Sequence, residues 1–256
     1  MKLTRYGRKE WLSAAMIVCI LQLIPIWLAF FHLIHWKVAI CIIVFLWVIW
    51  AAVAAFFRDP ERKIPQDADV LVSPADGVVR DIELIKNESV ECEELRELFQ
   101  GRDMLRIGIF LSVLNVHVNR TPVAMKAVFR SYKPGAFYDA RDGRASRENE
   151  AMVFGGLAEY EGETYPLAIK QISGAIARRI VCPVEKDMVF ERGQRYGMIK
   201  FGSRTELYLP AGMGFDVAVQ VGQSVSGGST VIARILPEAK EKLRQQNQEA
   251  NDLLIG

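Results

Sequence analysis

The chain has 256 residues, with 32 Lys and Arg against 30 Asp and Glu and a formal net charge of +2. That balance excludes a surface built overall for polyanions, and no nucleic-acid partner is expected. The length allows one large domain or a domain plus an appendage, and the 51% hydrophobic content is concentrated near the N-terminus.

Two apolar segments come first. Trp11 to Ile34 carries no charge and is long enough to cross a hydrocarbon core as a helix, and Val38 to Phe57 is a second such span. Pro25 predicts a kink in the first, of a kind that neighbouring helices tolerate. Lys2, Arg5, Arg8 and Lys9 precede the first span and Arg58, Arg62 and Lys63 follow the second, with Lys37 alone between them. The positive-inside rule therefore puts both ends in the cytoplasm, with the following domain on the cytoplasmic side of the inner membrane. A cleaved signal peptide would have a single short apolar core, which does not fit; a re-entrant hairpin in one leaflet stays open. Cys19 and Cys41 lie in the spans while Cys92 and Cys182 stand alone, so no disulfide framework is expected. His32 and His35 flank the hairpin turn, leaving His117 as the one histidine beyond it. A metal site needing two histidines is thereby excluded, and no metal is expected.

From Asp59 onward short apolar runs alternate with Gly, Pro and Asp. Strands are predicted at 69–73, 77–84, 105–111, 122–131, 166–172, 177–182, 187–190, 197–201, 205–209, 215–220 and 230–235. Glu91 to Phe99 predicts a short helix, 141–150 a polar loop, and 237–256 a peripheral helix or frayed end. The organisation is thus a helical membrane hairpin over 1–58, a mainly β domain of barrel or sandwich type over 59–236, and a helical tail over 237–256. VSPADGVV (72–79) and VGQSVSGGSTVIARI (221–235) look like the two halves of a lipoyl- or biotinyl-type hairpin barrel.

Two Gly-Ser pairs interrupt strand-like runs. Ser229 follows Gly227-Gly228 in a tight connection, where a small polar residue reads as turn chemistry. Gly202-Ser203 breaks the alternation between MIKF and TELYLP without the dipeptides of a hairpin turn. It reads either as a bulge or as a reactive position beside one.

The string FGSRTELYLP (201–210), with IARRIVC (176–182) and RYGMIK (195–200) before it, resembles the short phosphatidylserine decarboxylases. FFRDPER (56–62), LVSPADGVV (71–79), FLSVLNVHVNRTPV (110–123) and YKPGAF (132–137) carry the same resemblance, in the same order. It implies an inactive proenzyme that cleaves itself between Gly202 and Ser203. The Ser203 hydroxyl, activated by a base, would attack the Gly202 carbonyl, and elimination and hydrolysis would leave a pyruvoyl group at position 203. That covalent cofactor would take the amine of phosphatidylserine and accept the electrons left by departing CO₂, giving phosphatidylethanolamine. The expected partners are the phospholipid, the membrane and the two chains of the cleaved protein, 1–202 and 203–256; a homo-oligomer stays open.

The resemblance also assigns helpers. Asp76 would orient His117, and His117 would activate Ser203. By themselves, an Asp before a Gly equally suits a turn and a lone histidine equally suits a structural hydrogen bond. Many relatives carry a second histidine where this chain has Arg120, which cannot act as a base, so either His117 performs both tasks or another group serves. Arg120, Arg178 and Arg179 are candidates for the lipid phosphate or substrate carboxylate, and equally for rim charge. Two other functions are compatible with parts of the pattern. One is a non-enzymatic membrane-tethered adaptor or carrier, with AMKA placing Lys126 as the modified residue; the other is the same chemistry on an ether lipid of archaeal type. Lys126 lies asymmetrically between the two half-motifs, which counts against the carrier.

Overall fold

A computed structural model describes residues 2–175, 179–200 and 202–255, which divide into two compact units, Met1–Glu61 and Arg62–Gly256.

The first unit is a helical hairpin. Helices α1 (Arg8–Leu21) and α2 (Leu23–Phe30) run on from a short 3₁₀ turn as one apolar stretch, Arg5–Phe30, and α3 (Trp36–Phe56) returns beside it. At 26 and 21 residues they span about 39 and 32 Å at 1.5 Å per residue, enough to cross a bilayer core. The break at Gln22 comes three residues before Pro25, whose missing N–H removes a helical hydrogen bond at that turn. Gln22 is not left bare among apolar neighbours: its Oε1 accepts from Trp47 Nε1 at 3.1 Å. Trp50 Nε1 likewise donates to the Trp11 carbonyl at 3.2 Å. At the base, Thr4 N–H bonds Phe57 O and Asp59 N–H bonds Lys2 O, each at 2.8 Å. Leu12, Met16, Ile24, Phe30, Phe45 and Val48 are among many large apolar side chains that stay exposed on these helices, the pattern of a lipid-facing surface.

The second unit is mainly β. In chain order it contains β1 (Val70–Val72), β2 (Gly77–Ile85), α4 (Glu93–Leu98), β3 (Met104–Leu111), β4 (Val118–Arg120) and β5 (Met125–Lys133). Next come α5 (Ala145–Glu148), β6 (Ala151–Tyr160), β7 (Glu163–Ser173), β8 (Arg179–Val181), β9 (Val189–Phe190), β10 (Arg195–Lys200) and β11 (Ser203–Pro210). The chain ends with β12 (Phe215–Val217), β13 (Ser224–Val225), β14 (Val231–Ile235) and α6 (Ala239–Ile255). Eight strands form a curled, antiparallel half-barrel in the order β13-β2-β3-β11-β7-β6-β5-β9. Two three-stranded sheets, β1-β14-β12 and β4-β10-β8, complete it. The two hairpin-like halves of the sequence pair with each other: Val70↔Arg234 in one sheet and Val78↔Ser224 in another.

Inward rows of Leu167, Ile169, Leu207, Leu209, Ile107 and Ile109 fill the core, each fully buried and each stabilising by about 1.5–3 kcal/mol. Ala239 and Leu243 of α6 belong to the same core, so the start of the tail is integral to the domain.

Several elements depart from the predicted ones. The strand expected over 122–131 begins only at Met125 and runs to Lys133 as β5; the short strand before it, β4 (Val118–Arg120), was not expected and lies in another sheet, with Pro122, which offers no N–H, between the two. Strand β6 was not expected, since Gly155-Gly156 weakens any strand signal. Its glycines answer to tertiary contacts: a Cβ on Gly155 would meet Leu98 and Phe129, and one on Gly156 would collide with Lys126 O. The loop predicted over 141–150 contains α5. The strand predicted at 177–182 is described from Arg179 onward.

Candidate active site

Strand β11 runs through the middle of the half-barrel, paired with β3 on one side and β7 on the other, and all eight of its residues are buried. Ser203 is its first residue, opposite Leu111 and Ser173. The preceding strand, β10, belongs to a different sheet, so the chain must turn between Lys200 and Ser203. Gly202 makes that turn at φ +65°, in the left-handed region that favours glycine. The Gly202-Ser203 interruption is thus a change of sheet.

Non-local pairing brings His117 to this turn. Val118 of β4 pairs with Met198 of β10, and the His117 carbonyl accepts from Ile199 N–H at 3.2 Å. The fully buried imidazole then reaches Gly202, whose N–H donates to His117 Nε2 at 3.3 Å. On the other side His117 Nδ1 lies 3.0 Å from Asn115 O. An N–H donated to Nε2 and a carbonyl at Nδ1 together assign the neutral tautomer with its proton on Nδ1, leaving Nε2 as a basic lone pair beside the Gly202-Ser203 peptide. Ser203 is fully buried and its Oγ has no hydrogen-bond partner among the described residues. A buried hydroxyl left unpaired costs free energy, and such an atom in a native core calls for an explanation in function.

Asp76 stands elsewhere in the bonding. Its carboxylate receives Arg62 Nη2 at 2.9 and 2.8 Å and Gly227 N–H at 2.8 Å. It therefore ties the β1–β2 turn to the Gly227-Gly228 turn, while the contact that orients His117 Nδ1 is Asn115 O. Arg120 is buried beside the same turn: a Cβ on Gly228 would come 2.8 Å from its Cδ, and its Nη1 donates to Gly193 O at 3.0 Å. Arg179 is exposed on β8, and Arg178 lies outside the described residues. The sequence-derived residues thus fall into one group at the turn before β11, Gly202, Ser203 and His117, and another at the Gly227-Gly228 turn, Asp76 and Arg120. Ser229 sits in the turn its neighbours predicted, its N–H bonded to Ser226 O at 3.1 Å. Lys126 lies within β5 and pairs with Asp187 at 2.7 Å.

Four residues that sequence reading missed surround Ser203. Gln171 and Ser173 end the inward row of β7, and Thr205 follows Ser203 on the same face of β11. Asn119 lies over them, donating from Nδ2 to Thr205 Oγ1 at 3.2 Å and accepting from Gln171 Nε2 at 2.8 Å. Gln171 Oε1 and Ser173 Oγ are buried without partners, as is Ser203 Oγ. Three unpartnered polar atoms thus lie together on one polar patch of an otherwise apolar face. One signal was readable: the inward rows Leu167-Ile169 and Leu209-Leu207 both turn polar toward the same end of their strands.

The opposite face of β11 carries charge. Arg204 Nε donates to Glu206 Oε1 and its Nη2 to Asp81 Oδ1, both at 2.7 Å. Tyr208 OH and Ser146 Oγ each donate to Glu206 at 2.7 Å. Burial alone would raise the Glu206 carboxyl, but Arg204, Lys170 and Arg106 outweigh it and hold it down to about 2. Burial pushes the Lys170 ammonium below its usual range. This network lines an open cleft on the side away from Ser203 and anchors β11 from behind.

The site thus joins a buried serine, the left-handed glycine before it and an imidazole bonded to the turn between β10 and β11. The sequence profile described as phosphatidylserine decarboxylase matches residues 49–233. A phosphatidylserine decarboxylase proenzyme of Geotalea uraniireducens is 40% identical over 205 residues, covering 80% of this chain and 87% of that protein. The proenzymes of Trichlorobacter lovleyi and Wolbachia pipientis are 45% and 43% identical, over 72% and 73% of this chain and 76% and 78% of theirs. The chain belongs to the phosphatidylserine decarboxylase family and is a decarboxylating enzyme, a carboxy-lyase.

Proposed function

We propose that the chain is a membrane-anchored, pyruvoyl-dependent phosphatidylserine decarboxylase that is processed between Gly202 and Ser203. The observation that carries this reading is the buried Ser203 hydroxyl, unpartnered among the described residues, directly after the left-handed Gly202 whose N–H donates to His117 Nε2.

In self-cleavage His117 Nε2 exchanges the Gly202 N–H for the Ser203 O–H and takes its proton. Ser203 Oγ bonds to the Gly202 carbonyl carbon, the peptide C–N bond breaks, and the Ser203 nitrogen takes a proton, leaving an ester. Loss of the Ser203 Cα proton expels the Gly202 carboxylate with the upstream chain and leaves a dehydroalanine. Water then displaces ammonia to give the pyruvoyl end. Asn115 O holds the imidazole in the required tautomer, and Asp76 with Arg62 braces the adjoining turn. Once formed, the pyruvoyl group supplies an electron sink for decarboxylation. Its surroundings suit it, since the Ser173 hydroxyl on the same face has a proton to donate to a pyruvoyl carbonyl. Of the arginines considered for substrate anions, exposed Arg179 is the better placed to meet a phosphate or carboxylate, with Arg178 next to it in the chain. Arg120, already holding Gly193 O, lines the wall. The hairpin anchors the enzyme, with cations on both outer ends placing the catalytic unit on the cytoplasmic side.

Intact mass of the purified chain, with and without hydroxylamine, tests the reading. Two chains divided after Gly202, the smaller bearing a hydroxylamine-reactive carbonyl in place of its amine, are expected; a single full-length chain would sink it.

A further inference from the structure

Ser173 is one of the four residues around Ser203 that no part of the sequence pattern assigned. It pairs directly with Ser203 across β7 and β11, so both side chains leave the same face of the sheet with their Cβ atoms about 5 Å apart. Both residues are fully buried, and neither hydroxyl has a hydrogen-bond partner among the described residues. The backbone of Ser173 is fixed on two sides: its N–H donates to Glu150 O at 2.9 Å and its carbonyl accepts from Asn149 Nδ2 at 2.7 Å. Asn149 is itself buried and held to Tyr138 by two bonds at 2.8 Å. The next residue, Gly174, lies against the Gly202 carbonyl oxygen. The end of β7 is therefore a rigid wall along the scissile peptide, with one loose hydroxyl on it.

We propose that Ser173 is a positioning residue for self-cleavage, its hydroxyl donating to Ser203 Oγ. This rests on the self-cleavage reading above. Rotation of one or both χ1 angles closes the gap between the hydroxyls, and serine has staggered alternatives available for it. The donated hydrogen bond does two things. It turns the Ser203 proton away from β7, toward a base, and it stabilises the charge that grows on Ser203 Oγ as that proton leaves. No new bond is made or broken at Ser173; its proton stays on its own oxygen throughout. Packing alone gives no reason for a serine here. An alanine would fit the same space without burying an unpaired hydroxyl, and would leave the protein as stable or more so.

These two accounts predict opposite things of Ser173→Ala. The test follows conversion of freshly made full-length chain into its two pieces by intact mass, alongside thermal unfolding, for wild type, Ser173→Ala and Ser173→Thr. Positioning predicts that Ser173→Ala cleaves about tenfold more slowly or worse while its Tm is unchanged or higher. Ser173→Thr, which keeps the hydroxyl, should cleave faster than Ser173→Ala even if its extra methyl lowers Tm. Cleavage of Ser173→Ala at the wild-type rate would overturn the proposal and leave the self-cleavage reading intact. Slow cleavage together with a lowered Tm would also overturn it, assigning Ser173 to packing. A wild-type chain that never cleaves would remove the reading itself and this inference with it.

Discussion

The α-carbon of Gly174 faces the carbonyl oxygen of Gly202 so closely that a Cβ on Gly174 would collide with it. The two glycines come from the end of β7 and the turn before β11, and their contact sets where the Gly202 carbonyl, the group attacked in the proposed self-cleavage, lies. Because the atom met is backbone, Gly174→Ala must push the Gly202 turn aside. We expect a loss of about 1–3 kcal/mol of stability and cleavage slowed more than about tenfold, since attack depends on sub-ångström placement. Denaturant unfolding and intact mass measure the two effects separately; an alanine variant that cleaves normally would show that the contact is incidental.

The two Gly-Ser pairs differ in consequence. Ser203→Ala should remain a single chain without decarboxylase activity, because the nucleophile is gone. Ser229→Ala should cleave as wild type, since what the turn uses of residue 229 is its backbone N–H, bonded to Ser226 O. A block in Ser229→Ala with normal cleavage of Ser203→Ala would reverse the assignment.

His117 accepts from Gly202 N–H and is the base in the proposed self-cleavage. His117→Gln keeps a polar side chain of similar reach but cannot take the Ser203 proton. Cleavage is expected to fall by about a hundredfold or more while the chain still folds. Time courses of the intact and cleaved species decide this; a His117→Gln chain that cleaves within a few-fold of wild type would move the base elsewhere.

Glu206 makes stability depend on pH. Its carboxyl ordinarily titrates near 4.5 and is held to about 2 in the folded protein. Because the folded value is the lower one, its contribution is present in full above about pH 4.5 and is lost as pH falls through 2. The displacement corresponds to about 3 kcal/mol. Glu206→Gln should therefore unfold more easily at pH 7, where it also takes one carboxylate partner from each of Arg204 and Arg106 and leaves them Asp81. The gap from wild type should narrow between pH 4.5 and 2. Denaturant midpoints across that range test it, and a gap independent of pH would remove the ion network as its cause.

Strands with clean alternation were legible from sequence, as at 105–111 and 205–209, because period-two patterning follows from one buried face. Strand β6 was not, because Gly155 and Gly156 are there for the sake of Leu98, Phe129 and the Lys126 carbonyl, none of which is local. Within the site, the polar turn of two inward rows was visible in the chain, at Gln171-Ser173 and at Ser203-Thr205. That these rows are neighbours depends on the sheet order. The bond expected between Asp76 and His117 could not be checked in one dimension either: a carboxylate takes whichever donors the fold delivers, here Arg62 and the Gly227 amide.

By itself the sequence determined the features that depend on short range. The two apolar spans follow from composition and length, and the Gly202-Ser203 break from the conformational freedom of one glycine. Its family membership follows from collinear strings of residues. Tertiary structure alone decided what stands next to the break. His117 is 85 residues from Gly202 and reaches it only because β4 pairs with β10. Ser173 faces Ser203 only because β7 pairs with β11 in that register. Antiparallel pairing fixes such neighbours by backbone hydrogen bonds whose partners are set by the whole sheet, so a one-residue slip would turn each of these side chains to the other face.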